Sequence, residues 1–390
     1  MRPRLRLLVA ALCASAALTG CSTPTAPAGT TPSPAASPTP SPAATPPSAT
    51  ALEARPPASE GRLAEVVTIG GDISPKSVTA TGTGLVFAQN MMYRHTVTAY
   101  DRSFDLVATI SDQITPSDFG HSLQGTYRGA PVEAAATPDG RHVYVSNYSM
   151  YGPGFREGSD TCSPQDSYPN SFVYRIDTTT LQIDQVIEVG AVPKYLAVTP
   201  DGATLLATNW CSYDLSVVDT ATAAEVARIP IGRYPRGIAV DRGSGTAWIA
   251  VMGSTGLLAV DLRTHSTRDL PGIGGGPRHL QISPDGTFLY VTLNRDGLVA
   301  KVDTATGQTV AAVRTGEAPR SAVLSADGTA LYVVNYESGT VAKVATADMA
   351  VLQTVQVGHH PIGITRDEAT QQLWVACYSG TIAVLQDGRP

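Results

Sequence analysis

The chain has 390 residues, 43% of them hydrophobic and 15% charged, with a formal net charge of −6. That is ample apolar material for a buried core, and the acidic balance argues against a protein that holds nucleic acid through a bulk positive field. Many glycines and prolines with few aromatics (36, 29 and 6%) fit an all-β repeat protein.

Residues 1–20 run from Arg2, Arg4 and Arg6 through the apolar stretch LLVAALCASAAL to small residues. This order is that of an export signal, here a lipoprotein signal peptide, and the stretch is too short to span a bilayer. Leu18-Thr19-Gly20-Cys21 resembles a bacterial lipobox, which implies cleavage before Cys21 and acylation of its thiol and amine. The alternative is an ordinary secretory signal with a chance cysteine. Residues 21–61 are mostly Pro, Ala, Thr and Ser and cannot form a core, so a lipid-anchored disordered linker is expected. As polyproline II it would reach roughly 120 Å, and as a flexible coil roughly 35 Å. The expected address is extracytoplasmic, on the bacterial cell membrane through Cys21.

Residues 62–390 are built from one unit. It is clearest in GAVPKYLAVTPDGATLLATNWCSYDLSVVDTATAAEVARIPIG, which holds four short strands and a turn at Pro200-Asp201-Gly202. In that turn proline presets φ, aspartate bonds its own backbone and glycine takes positive φ. The proline that opens the unit recurs at Pro75, Pro131, Pro193, Pro235, Pro277, Pro319 and Pro361, the last four steps each being 42 residues. That spacing is one four-stranded propeller blade. The first two units are the same blade with residues added. The unit at Pro361 ends after its third strand, and the orphan strand at residues 64–71, AEVVTIGG, supplies its fourth. An all-β, seven-bladed β-propeller of four-stranded antiparallel blades follows, its last blade closed by an N-terminal strand and its sheet edge thereby removed.

The segments YVSN at Tyr144, YVVN at Tyr332, the Pro-Asp-Gly turns, VVDTAT at Val217 and IPIG at Ile229 carry a resemblance to the YVTN family of bacterial β-propeller proteins, relatives of WD40-like propellers. The resemblance covers residues 62–390. It implies the fold and is weak on function.

Connections between blade strands alternate between two faces. The Pro-Asp-Gly hairpins and the Asp-Thr turns share one face; the opening prolines and the loops after second strands share the other. Two insertions, residues 110–130 and 149–170, fall on the second face, which marks it as the working surface. The residue after the opening proline is cationic in five units: Lys76, Lys194, Arg236, Arg278 and Arg320. First strands line a propeller's axis, so these side chains are expected to ring one mouth and focus an anionic ligand or an acidic partner segment. The alternative is a set of solvated cations paired with nearby carboxylates. Glu133 stands at the position that His279 holds in another unit. Asn90, Asn147, Asn209 and Asn335 end second strands and are expected to cap loops. Tyr148, Trp210 and Tyr336 follow three of them, as an aromatic rim or as packing against the next blade.

Cys162 and Cys211 lie in equivalent loops of neighbouring units, so a disulfide is expected there, against the alternative of three free thiols. Cys377 takes a strand position and is expected to be a buried free thiol. His279, His359 and His360 beside opening prolines, and Glu157, Asp160 and Asp166 in the second insertion, lack the spacing of a metal site, so neither metal nor cofactor is expected. No GxSxG, P-loop or CxxCH motif is present. The expectation is a tethered, monomeric binding or scaffolding module for an envelope protein or anionic ligand, with no nucleic acid. The other function class is an extracytoplasmic hydrolase such as a lactonase with an axial metal.

Overall fold

Strand composition follows from position in the blade. In the unit opening at Pro193, strands Pro193–Val198, Thr204–Asn209, Asp214–Asp219 and Ala224–Pro230 pair antiparallel in that order. The second and third are buried on both faces between neighbouring blades and read as nearly unbroken apolar runs. The fourth is an edge strand with one wet face, and it alternates exposed and half-buried residues. In this computed structural model, which describes residues 55–91, 93–153, 162–163 and 167–388, seven such four-stranded sheets form a seven-bladed propeller. Blades are numbered here from the opening prolines Pro75 (blade 1) to Pro361 (blade 7). The export segment, Cys21, most of the linker, Glu157, Asp160 and Asp166 lie outside the described residues.

Hydrogen bonds across blade boundaries stitch the inner strands together. Ser77 Oγ donates to the Val132 carbonyl (2.9 Å), Thr208 Oγ1 to that of Arg236 (2.8 Å) and Thr292 Oγ1 to that of Arg320 (2.8 Å).

The turn face repeats one device. Asp139, Asp201, Asp285 and Asp327 each accept a hydroxyl from the residue two positions earlier and an amide from two positions later. The threonine after each third strand then reaches back to the turn glycine. Thr178, Thr220, Thr304 and Thr346 donate to the carbonyls of Gly140, Gly202, Gly286 and Gly328 at 2.9, 2.7, 2.8 and 2.6 Å. The two repeated motifs of the sequence are thus two halves of one hydrogen-bonded corner. The Ser283 hydroxyl and the Thr287 amide, donating to Asp285, hold its carboxyl down at about 2.

Closure involves more of the chain than the strand. Arg62–Ile69 pairs antiparallel with Thr381–Gly388, from Arg62 opposite Gly388 to Ile69 opposite Ile382. The compact body begins at Arg55, ahead of the boundary at residue 62 that composition suggests. Ala58 is buried, its amide donates to Asp327 (2.8 Å), and the Ser59 amide donates to Thr329 (3.1 Å), both on blade 6. Gln353 brackets the Leu63 backbone with one bond to its amide and one to its carbonyl. Beneath this strap, Lys343 Nζ donates to Asp387 Oδ1 (2.6 Å) and to the Gly61 carbonyl (2.7 Å), while the Tyr332 hydroxyl donates to the other Asp387 oxygen. The Lys343 and Asp387 side chains are 0 and 2% exposed. Burial pulls the Lys343 amine below its ordinary range, with the Asp387 charge opposing. A Cβ at Gly61 would meet Asp387 Oδ1 at 2.7 Å, so the network needs glycine there.

Candidate functional site

Each first strand enters from the mouth, and in blades 3 to 7 and blade 2 its pairing shifts register just after the opening proline. Lys76, Lys194, Arg236 and Arg278 are at most 9% exposed. Their charges meet across the axis. The Lys76 ammonium of blade 1 is lowered well below its ordinary value, first by burial, then by Arg236 and Arg278 of blades 4 and 5 and by Lys194 of blade 3; Glu133 of blade 2 opposes them. Burial and the repulsion of Arg236 and Arg320 likewise lower Arg278. Glu133 is raised by its own burial despite the pull of Lys76, Arg236 and Arg278. Six blades therefore bring charge towards the axis, five of them positive.

The aromatic rim interleaves with these cations. Lys194 Nζ lies 4.0 Å from the Tyr148 ring centre and 5.4 Å from that of Trp210. The guanidinium of Arg236 is 5.1 Å from Trp210, and that of Arg320 is 3.4 Å from Tyr336. Two members are not evident in the sequence: Tyr378 under Lys76 (5.9 Å), and Met252, whose sulfur accepts from Arg278 Nη1 at 3.6 Å. Both occupy the position directly after a second strand, as Trp210 does, so aligning the repeats on that position reveals them. Cation on ring is a favourable, partly dehydrated arrangement.

The asparagines do what their positions suggest. Asn209 Nδ2 donates to Asp214 (2.7 Å) and Ser216 (2.8 Å), and Asn335 exchanges bonds with Thr315.

Below the cations lies an axial cavity of about 220 Å³, whose wall includes Ser77, Glu133, Tyr195, His279, Gln281 and Ser321. His279 Nδ1 accepts the Ala322 amide (3.3 Å), so Nε2 carries the proton and donates to the Tyr195 hydroxyl oxygen (2.6 Å). Burial and the charges of Arg278 and Arg236 hold the imidazole down at about 3, hence neutral. The Tyr195–His279 bond crosses from blade 3 to blade 5, a pairing invisible in the sequence. Both ring nitrogens are engaged. His359 and His360 lie on the rim, where His360 stacks on Tyr336 at 4.3 Å.

Cys162 and Cys211 are disulfide-bonded with Cα atoms 5.2 Å apart, and Cys377 is a buried free thiol. The Cys162 carbonyl accepts the hydroxyls of Tyr213 (2.7 Å) and Tyr234 (3.2 Å). The bond sets Cys162 beside Trp210. The first insertion leaves the same face but folds outward. Its Phe119, Ile114 and Tyr127 pack with Phe172, Tyr174 and Val186 of blade 2, and His121 Nε2 donates to the Val186 carbonyl (2.8 Å). The first residues of the second insertion join this packing: Met150 lies with Ile114 and Tyr127, and Tyr151 bridges to Arg128.

Among the described residues one His-carboxylate group comes within metal-holding range, His142, Asp177 and Asp184, on the turn face. Arg175 engages both Asp184 oxygens (2.9 and 2.8 Å), and Asp177 accepts the amides of Thr179 and Thr180. It is a hydrogen-bonded ion-pair network.

With this geometry in hand, the chain is a β-propeller by similarity as well. Residues 277–368 match the family model described as the cytochrome D1 heme domain. The solved structure of hydrazine synthase from Kuenenia stuttgartiensis superposes with a TM-score of 0.64 at 17% identity, covering 83% of this chain and 98% of that one. At that identity the likeness concerns the fold. No curated protein matches the sequence. The axial cavity does not fit a haem: at about 220 Å³ it falls below the ~300–1,000 Å³ of pockets for molecules of even ordinary ligand size, and the imidazole on its wall has no free nitrogen.

Proposed function

We propose that this protein is a lipid-tethered extracytoplasmic propeller of the YVTN type, a binding module that engages an anionic ligand or an acidic segment of an envelope partner at its mouth. The observation that carries this reading is the meeting of Lys76, Lys194, Arg236 and Arg278 from four different blades around the carboxylate of Glu133. Positive charge gathered in a low-dielectric mouth attracts anions far more strongly than the acidic surface as a whole repels them. The place of the strap supports it too. Ala58 joins the turn face through Asp327, so the chain enters the propeller on the side opposite the mouth. A disulfide is compatible with export.

Two experiments test the reading. Cys21→Ala is expected to abolish lipid attachment and leave the protein unprocessed or shed, because stable anchoring needs more than one acyl chain; equal membrane retention of processed variant and wild type in fractionation contradicts it. For the site, the full-length protein is co-purified from solubilised membranes beside a variant with Lys194, Arg236, Arg278 and Arg320 replaced by Gln. Loss of the bound partner or ligand from the variant, together with weakening by salt in the wild type, is expected. Equal yield from both removes the mouth from the function.

A further inference from the structure

We propose that the ligand of the mouth is a compact polyanion, a small molecule with two or three negative charges held through the N–H edges of Lys76, Arg278 and Arg320. This rests on the reading of the mouth as the binding face and adds the chemical class of what it takes.

The charge balance comes first. Among the described residues lining the axial cavity Glu133 is the one carboxylate, while Lys76, Arg278 and Arg320 bring positive charge from three blades. Buried like charges are costly unless something compensates them. A fold that keeps them carries a local instability of the kind function imposes. Their depressed proton affinities agree: for Lys76 the pull of Glu133 is outweighed by burial and by the neighbouring guanidinium groups.

The rings of Tyr378 and Tyr336 already carry a cation on one face, from Lys76 and Arg320, and the Met252 sulfur takes Arg278 Nη1. A guanidinium whose face lies on a ring keeps its edge N–H groups for oxygen anions, and carboxylate and phosphate oxygens match that edge. The buried Arg320 Nε has no protein acceptor. Recognition is then by charge and oxygen geometry and not by stacking. The cavity of about 220 Å³ is lined by Ser77, His279 and Ser321, each the residue that follows one of these cations, and its size suits a small molecule and not a threaded chain.

The test is titration calorimetry on the full-length protein in detergent at low salt, with citrate and pyrophosphate as probes and acetate as the monovalent control. Saturable one-to-one binding of at least one polyanion, and none of acetate, is expected. Arg278→Gln is expected to weaken it roughly tenfold or more, the scale of one charge-assisted hydrogen bond, and at the same time to raise the melting temperature of the ligand-free protein. Glu133→Gln is expected to do the reverse on both counts. Cations with a purely structural role predict the opposite sign for melting. Absence of saturable binding by either probe overturns the inference, as does an Arg278→Gln protein that melts lower and binds unchanged. If Arg278→Gln does not fold, Lys76→Met carries the same expectations. Should the polyanions fail while a membrane partner is still lost from the fourfold Gln variant, the inference falls and the binding face stands, with an acidic protein segment as its ligand.

Discussion

Lys343→Ala is expected to destabilise the propeller by about 3–5 kcal/mol, because it strands the Asp387 carboxylate in the interior without its counter-charge. The ion pair lies under the strap, where Lys343 also holds the Gly61 carbonyl, so the loss falls on the closure of the ring. Removing the pair altogether, as Lys343→Met with Asp387→Leu, is expected to cost far less, since a buried pair replaced by apolar groups is often nearly neutral. Deleting residues 1–71 takes away the fourth strand of blade 7 and exposes the edge of Thr381–Gly388, with a loss at least as large as that of the single variant. Deleting residues 22–53 alone is expected to leave melting unchanged. Urea unfolding of the four proteins decides the matter, and equal midpoints for the two deletions would refute closure by the N-terminal segment.

The second large effect concerns the disulfide. Reduction, or Cys162→Ser with Cys211→Ser, is expected to lower stability by about 4 kcal/mol in the chain-entropy model for a bridge across 49 residues. The change should be visible at the mouth as well, because Cys211 follows Trp210, whose ring lies under both Lys194 and Arg236. Intrinsic tryptophan fluorescence is therefore expected to shift on reduction under native conditions. Non-reducing peptide mapping supplies the covalent check: alkylation of Cys162 and Cys211 without prior reduction would show that the bond does not form.

The ring of blades was legible because each unit repeats its own instructions. Pro-Asp-Gly and Asp-Thr recur at fixed offsets, and the copies that carry them build the same corner, with Thr220 on Gly202 just as Thr304 is on Gly286. The cysteine pair was legible for the same reason, as two equivalent loops of adjacent copies. Contacts between distant copies were not. Tyr195 meets His279 across the axis, and nothing local in either unit announces the other. The strap escaped notice because Pro57 and Ala58 look like the linker before them; what makes them structure is Asp327, far along the chain, which takes the Ala58 amide. The basic residues were visible, yet their burial was not, since burial depends on the rings that cover them. The outward fold of the first insertion depends likewise on the apolar flank of blade 2.

The antiparallel seam of blade 7 also has a mechanical meaning. The strand Arg62–Ile69 begins at the turn face and ends at the mouth, and it is paired at seven positions with Thr381–Gly388. A pull between the chain upstream of Arg62 and the mouth face runs along this strand. Tension is then shared by all the rungs of the ladder at once, in shear, instead of peeling them one after another. The ring is fastened in the direction in which a tether would load it.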